Sequence, residues 1–324
     1  MDRVFVATTH GLIAYEVVGN AWQVSARALG EYDVTCVSAR AGVLLAGTAS
    51  GVFASYDSGQ SWCDVAAGMT IRHLRWIAHH NIYPDLVFAG TEPADIFVST
   101  DGGRTWQERP QVTALRDWFG WYLPYSPEAG CVRGFAAHGA RVYAAVEQGG
   151  VLRSNDEGRT WYLAPGSTGQ PVFEAPPAPY LQSDVHSVAV HPSSPDLVFA
   201  VTGRGLYRSV DGGLVWERLY ECYCRAVWVD PDNPAHIVFG PADGVDRNGR
   251  IEETNDGGQT WHRASFGLDV PWPEHMVERF TQLGNGLIAV LSNGQLVAAS
   301  LHDLFWRPIL SEVEGVEAVF VEQG

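Results

Sequence analysis

The sequence predicts an all-β chain of seven four-stranded units closed into a ring, a seven-bladed β-propeller. Three observations carry that expectation. An eight-residue phrase occurs five times, a tryptophan keeps its register beyond the clear copies, and the two chain ends read as complementary strands. The copies are Ser55-Tyr-Asp57-Ser-Gly59-Gln-Ser-Trp62, Ser99-Thr-Asp101-Gly-Gly103-Arg-Thr-Trp106, Ser154-Asn-Asp156-Glu-Gly158-Arg-Thr-Trp161, Ser209-Val-Asp211-Gly-Gly213-Leu-Val-Trp216 and Thr254-Asn-Asp256-Gly-Gly258-Gln-Thr-Trp261. A phrase returning every 44 to 55 residues marks one supersecondary unit copied along the chain.

Each phrase reads as a hairpin turn. The carboxylates of Asp57, Asp101, Asp156, Asp211 and Asp256 accept backbone N–H groups further along, and the glycine takes a positive φ. The tryptophan opens the next strand and buries its ring against a neighbouring unit. Each ring removes roughly 150–250 Å² from water, about 4–6 kcal/mol at ~25 cal/mol/Å² as an upper bound. These residues are expected to be scaffold, not catalysts.

Two worn copies extend the count to seven. Trp306 follows Trp261 by 45 residues, and Trp22 precedes Trp62 by 40. The fifth unit divides into strands Val185–Val190, Leu197–Val201, Gly205–Arg208 and Trp216–Leu219, separated by turn residues. Radial closure of such units protects their sheet edges. The segment from Arg3 to Thr8 aligns with second strands, so the first unit lacks its innermost strand. Val316-Glu-Ala-Val-Phe-Val321 alternates correctly to supply it. The expected blades are 1–31 with 313–322, 32–69, 70–112, 113–168, 184–221, 222–266 and 272–311, all within one domain over 1–324.

Composition narrows the partners. A formal net charge of −16 argues against general nucleic-acid or anionic-membrane binding, which need a basic face. No apolar run approaches the ~18 residues of a membrane helix. Met1-Asp2-Arg3 runs straight into a strand, from which a cytoplasmic chain, or one trimmed of a leader, is expected. Five cysteines, an odd number with Cys222 and Cys224 one residue apart, suit thiols better than a disulfide framework. A monomer without a cofactor is expected.

The repeated phrase resembles the Asp-box, or BNR, repeat, and its copies span nearly the whole chain. That resemblance implies a propeller and a broad association with glycan chemistry, as in sialidases, xyloglucan-degrading glycosidases, sortilin-type receptors and photosystem assembly factors. It implies no particular reaction. Sialidases of this family carry an arginine followed by proline in the first blade. Arg3 and Arg27 lack that context, which argues against sialidase activity.

The boxes join strands three and four, so they mark one face; the opposite face carries the unusual links. Ala114–Gly130 holds Arg116, Trp118, Phe119, Trp121, Tyr122, Tyr125 and Glu128, Leu163–Ser183 is proline-rich, and Gly240–Arg250 holds Asp243, Asp246 and Arg247. Aligned inner strands place Arg75, Arg133, His186 and Arg225 at one position on four consecutive blades, with Glu278 similar on the seventh. His73, Cys131, Asp184, Tyr223 and Met276 come two residues earlier, and Glu92, Glu147 and Asp243 end second strands.

Converging guanidinium groups suit a carboxylate, phosphate or sulfate. The competing reading is a wet channel in which they pair with Glu92, Glu147 and Glu278. The expected ligand site is Arg75, Arg133, His186, Arg225, Tyr223 and Glu278, with Trp118 and Trp121 stacking on a small anionic molecule or glycan. Glu147 and Asp184 are the candidate acid and base of a glycoside hydrolase or lyase. No metal is expected; the alternative is a set of His73, Cys131, Asp184 and His186, with Cys222 and Cys224. A non-catalytic scaffold for a protein partner stays open beside the enzyme reading.

Overall fold

The computed structural model describes residues 3–18, 21–122, 130–172 and 174–322. Seven four-stranded antiparallel sheets follow one another around a closed ring, a seven-bladed β-propeller. From blade one to blade seven the inner strands are Val316–Glu322, Val34–Arg40, Leu74–His79, Cys131–His138, Val185–Val190, Tyr223–Val229 and Val277–Leu283. Each packs beside the inner strands of the blades on either side. In blade five the observed strands are Val185–Val190, Val198–Thr202, Gly205–Ser209 and Glu217–Tyr220, within one residue of the expected boundaries.

The closure is as the chain ends predict. Val316–Glu322 pairs antiparallel with Arg3–Thr8, setting Phe5 opposite Phe320 and Val4 opposite Val321. Arg3 and Glu322 add an ion pair at 2.5 Å. Blade one is therefore built from both ends of the chain.

The Asp boxes cap the opposite hairpins by local hydrogen bonding. In blade three Asp101 Oδ1 accepts the N–H groups of Arg104 and Thr105, both at 2.9 Å. Thr105 Oγ1 donates to the other carboxylate oxygen at 2.6 Å. Ser99 Oγ donates to Asp101 at 2.7 Å and accepts the Gly103 N–H at 2.8 Å, with Gly103 at φ +87°. Val215 removes the hydroxyl in blade five, leaving Asp211 with the N–H groups of Leu214 and Val215 at 3.1 and 3.0 Å. Two of the tryptophans also hydrogen-bond blade to blade: Trp106 Nε1 donates to Val65 O at 3.0 Å and Trp306 to Ala264 O at 2.7 Å, whereas Trp62 and Trp161 donate within their own turns. Trp22 is half-buried at the start of blade one's outer strand, edge-on to Tyr15.

One element departs from the sequence expectation. Pro110–Phe119 forms a helix, α1, inside what read as an irregular insertion. Pro110 sits in the first turn, where its missing N–H costs nothing, and Gly120 closes the end in the left-handed region with its N–H bonded to Arg116 O. Val112, Leu115 and Phe119 pack α1 on the core between blades three and four. Tyr125 and Glu128 lie outside the described residues. Among the described residues no helix is long and apolar enough to cross a membrane.

Ending the chain at Val313 removes blade one's inner strand and is expected to lower the melting temperature of the whole ring by more than ten degrees. A truncated chain that melts like the parent contradicts this closure.

The box carboxylates also set an acid limit. Hydrogen bonds from the Ser61 hydroxyl and N–H and the Ser55 hydroxyl bring Asp57 down to about 2. At Asp101, Asp156 and Asp211 partial burial pushes upward, but the donated bonds outweigh it and all three are lowered. A carboxyl group lowered by folding stabilises above its unfolded value and loses that contribution as pH falls through the folded one. Stability should therefore drop between about pH 4 and pH 2. Thr105→Val, which copies blade five, should flatten part of that drop in acid denaturation followed by fluorescence; curves that overlay after normalisation would refute the assignment.

Candidate functional site

The site is built on a repeated irregularity of the inner strands. On each, one residue is inserted into the ladder with the second strand: Thr35, Arg75, Arg133, His186, Glu278 and Glu317 are skipped in the pairing, and in blade six the bulge covers Arg225-Ala226. A bulge breaks the alternation of the strand and re-aims a side chain. Thr35, Arg75, Arg133, Arg225, Glu278 and Glu317 accordingly line one central cavity of about 290 Å³. His186, buried, completes the ring on blade five.

The guanidinium groups are matched by carboxylates. Arg133 Nη1 lies 2.9 Å from Glu147 Oε2 and its Nη2 lies 3.3 Å from Glu278 Oε2. Glu278 also pairs closely with Arg225. Arg75 Nε lies 3.4 Å from Glu92. Arg279, which the sequence reading did not single out, stacks its guanidinium 4.4 Å from the Trp76 ring centre, and burial brings it down to about 10. Burial pushes Glu278 up, but Arg225 and Arg133 prevail and hold it below the usual carboxylate range. Burial also raises Glu317. The internally paired channel is thus the arrangement present, and the arginine row is not an uncompensated anion trap.

Beside the channel, on the face opposite the boxes, a larger cavity of about 550 Å³ opens over blades four to six. Glu147, at the end of a second strand, and Asp184, just before an inner strand, stand in its wall with Gln148, Gln182, Tyr220 and Tyr223. The proline-rich link contributes Gln182, and the Gly240–Arg250 link contributes Asp243 through Val245 and Arg250. Asp243 is fastened there by Asn248 Nδ2 at 3.0 Å and Arg250 Nη1 at 3.3 Å, which lower it. Burial pushes Tyr223 up to about 12, and its hydroxyl accepts Arg225 Nε at 3.1 Å.

The expected residues thus separate into groups. Glu147, Asp184 and Tyr223 meet at the side cavity, and Arg75, Arg133, Arg225 and Glu278 meet in the channel. His186 bridges the two, 3.3 Å from Asp184 Oδ1 and 4.0 Å from Glu147 Oε1. Trp118 and Trp121 require correction as ligand-stacking residues, because neither lines the cavity. Trp121 is 2% exposed, packed in the core with Nε1 donating to Gly169 O at 2.8 Å, whereas Trp118 projects from α1 at 83% exposure. His73 stands by Glu92, whose N–H donates to its carbonyl, and Cys131 is a buried thiol donating to Glu147 Oε2 at 3.3 Å. Burial and Glu147 push that thiol well up. All five cysteines are free. Thr35, Glu317 and Arg279 were missed; the first two hold the same register as Arg75, one residue after the apolar start of the inner strand.

Ring, box hairpins and loop-face cavity together define a seven-bladed propeller of the Asp-box class. The family model for the BNR/Asp-box repeat matches residues 97–108, the blade-three box. A search of the curated proteins finds no match. Among solved structures, a GH74 enzyme from Niastella koreensis is similar over 97% of this chain and 52% of its own, with 16% identity and a TM-score of 0.65. An ancestral GH74 enzyme is similar over 90% of this chain at 16% identity and a TM-score of 0.63, and this chain spans only 38% of its length. YCF48 bound to D1 peptide is similar over 91% of this chain and 88% of its own, with 16% identity and a TM-score of 0.61. At such identity the likeness shows the fold.

Glu278 neutralises two buried guanidinium groups at once, so Glu278→Ala should cost about 3 kcal/mol in chemical denaturation. Glu278→Gln should recover only part of it. A loss below about 0.5 kcal/mol for the alanine variant would mean that solvent in the channel screens these pairs.

Proposed function

We propose that this propeller binds a small polar, sugar-like ligand in the cavity over blades four to six. The supporting observation is that cavity's size and lining: about 550 Å³, with carboxylates, amides and two tyrosines converging from three blades. Pockets of about 300–1,000 Å³ with a few converging polar groups are the usual form of small-molecule sites. Carboxylates and amides satisfy hydroxyl groups as donors and acceptors, and tyrosine rings pack on the apolar face of a sugar. A strongly anionic ligand is less favoured, because Arg133, Arg225 and Arg75 already hold carboxylate partners.

Glu147 and Asp184 are the groups placed to act on such a ligand. Oxygens of the two come within 4.8 Å, closer to the ~5–5.5 Å carboxyl spacing of retaining glycosidases than to the ~6.5–9.5 Å of inverting ones. Their surroundings differ, as two-carboxylate chemistry requires: Glu147 rests on a guanidinium and a thiol, whereas Asp184 Oδ1 accepts no hydrogen bond. A glycoside hydrolase or lyase is the reaction class this geometry suits. The GH74 relatives are enzymes of similar fold.

Calorimetric titration with neutral oligosaccharides and with uronic acids tests the reading. At least one neutral sugar should bind, and Asp184→Asn should weaken it tenfold or more without lowering the melting temperature by more than a few degrees. Failure of every sugar, neutral or acidic, to give heat or shift melting would end it. One observation favours a protein partner instead: Val210, Leu214 and Val215 are exposed together on the blade-five box, on the opposite face. The YCF48 relative is seen with a peptide. Val210→Asp with Leu214→Asp should abolish capture of such a partner and leave sugar titration unchanged.

A further inference from the structure

We propose that Glu147, Asp184 and His186 form a binding site for one first-row divalent transition cation, open on the side of the cavity. The argument starts at the imidazole. His186 Nδ1 lies 2.8 Å from Cys224 O, and a carbonyl only accepts, so Nδ1 carries a proton. In its neutral form the ring then presents its Nε2 lone pair to Asp184 Oδ1 at 3.3 Å and to Glu147 Oε1 at 4.0 Å. One ligand atom from each of the three lies within 4.8 Å of the others.

Three lone-pair donors facing one another repel unless a cation lies between them. Asp184 Oδ1 is buried and accepts no hydrogen bond, so the imidazole contact is not an aligned N–H···O bond. The Tyr223 hydroxyl is 3.5 Å from Nε2, at the limit of a hydrogen bond. Bonds of about 2.0–2.2 Å to a tetrahedral or octahedral cation separate neighbouring ligand atoms by roughly 3.0–3.5 Å. The observed contacts need only a small inward movement of Glu147.

The outer partners are those of a ligating set. A backbone carbonyl fixes the histidine tautomer, the usual companion of Nε2 ligation. Arg133 and Cys131 both hold Glu147 by Oε2, turning Oε1 toward the imidazole. Gly203 makes room for Asp184, since a Cβ there would stand 2.5 Å from its Oδ2. One imidazole with two carboxylates suits zinc, manganese or ferrous iron better than calcium, which prefers oxygen alone. Three protein ligands leave further positions toward the cavity, where a hydroxyl or carboxylate of a bound molecule could enter. Of the alternative set read from sequence, Asp184 and His186 take part, whereas His73, Cys131, Cys222 and Cys224 do not, and Glu147 joins them. The site stands on its own geometry, whether or not the cavity takes a sugar.

The test uses the whole chain after chelator treatment, titrated separately with zinc and manganese chloride by calorimetry. One equivalent should bind at micromolar or tighter dissociation constant, and a tenfold excess of calcium should not displace it. Asp184→Asn and His186→Gln, checked for unchanged melting, should each weaken binding at least 100-fold. In the unsubstituted protein, pulsed electron paramagnetic resonance of bound manganese should show coupling to a single imidazole nitrogen, which does not depend on any variant folding. No stoichiometric binding, or binding that both variants retain, or a manganese spectrum without nitrogen coupling, would overturn the proposal.

Discussion

Everything at the centre of this molecule depends on one antiparallel pairing, Arg3–Thr8 with Val316–Glu322. Without it the seven sheets form an open arc, and side chains far apart in sequence have no reason to meet. With it, Arg133 reaches Glu278 across 145 residues and Arg279 reaches the Thr35 carbonyl across 244. The hairpins themselves are local and self-sufficient, each held by its own aspartate and glycine. Long-range closure and short-range turns therefore divide the work, and only closure creates the channel.

The second constraint is the bulge repeated on the inner strands. In a regular strand, alternate residues would pack between blades and none would be obliged to face the axis. One inserted residue per strand frees a side chain at a common height without disturbing the apolar packing on either side. Val132 before Arg133 and Val185 before His186 are both fully buried. Polar residues gathered so tightly must neutralise one another, because a lone guanidinium in a narrow channel gives up hydration that nothing else restores. That is why the glutamates of neighbouring blades turn inward as well.

How much of this was legible follows from the same division. The box phrase repeats because its chemistry is local, so aspartate, glycine and tryptophan announce the blades directly, and the strands of blade five fall within a residue of expectation. The register of Arg75, Arg133, His186 and Arg225 was legible because the bulge recurs. Thr35 and Glu317 share that register, but neither resembles an arginine, and a search for charge alike in kind passes over them. The pairing partners were named, yet sequence could not decide between paired and free arginines, since this is a matter of ångströms. Helix α1 and the burial of Trp121 were hidden because aromatic residues between two blades serve equally as core or as exposed binding surface. Only the docking of Leu115 and Phe119 separates those roles.

The position of the candidate site follows from which bulge residue is uncharged yet able to bind a cation. Around the ring stand three arginines, two glutamates, a threonine and His186. Glu278 pairs with Arg133 and Arg225, Arg75 pairs with Glu92, and Thr35 Oγ1 donates to Leu74 O at 2.7 Å. His186 sits between Arg133 and Arg225 in blade order, where a further arginine would add a fourth positive charge to the ring. The imidazole there donates Nδ1–H to Cys224 O and leaves Nε2 3.3 Å from Asp184 Oδ1. Glu147 and Asp184, from blade four and the entry to blade five, lie on its far side and face the same gap. The charge pattern that stabilises the channel thus gathers an imidazole and two carboxylates at one point of its rim. That point is where the side cavity opens.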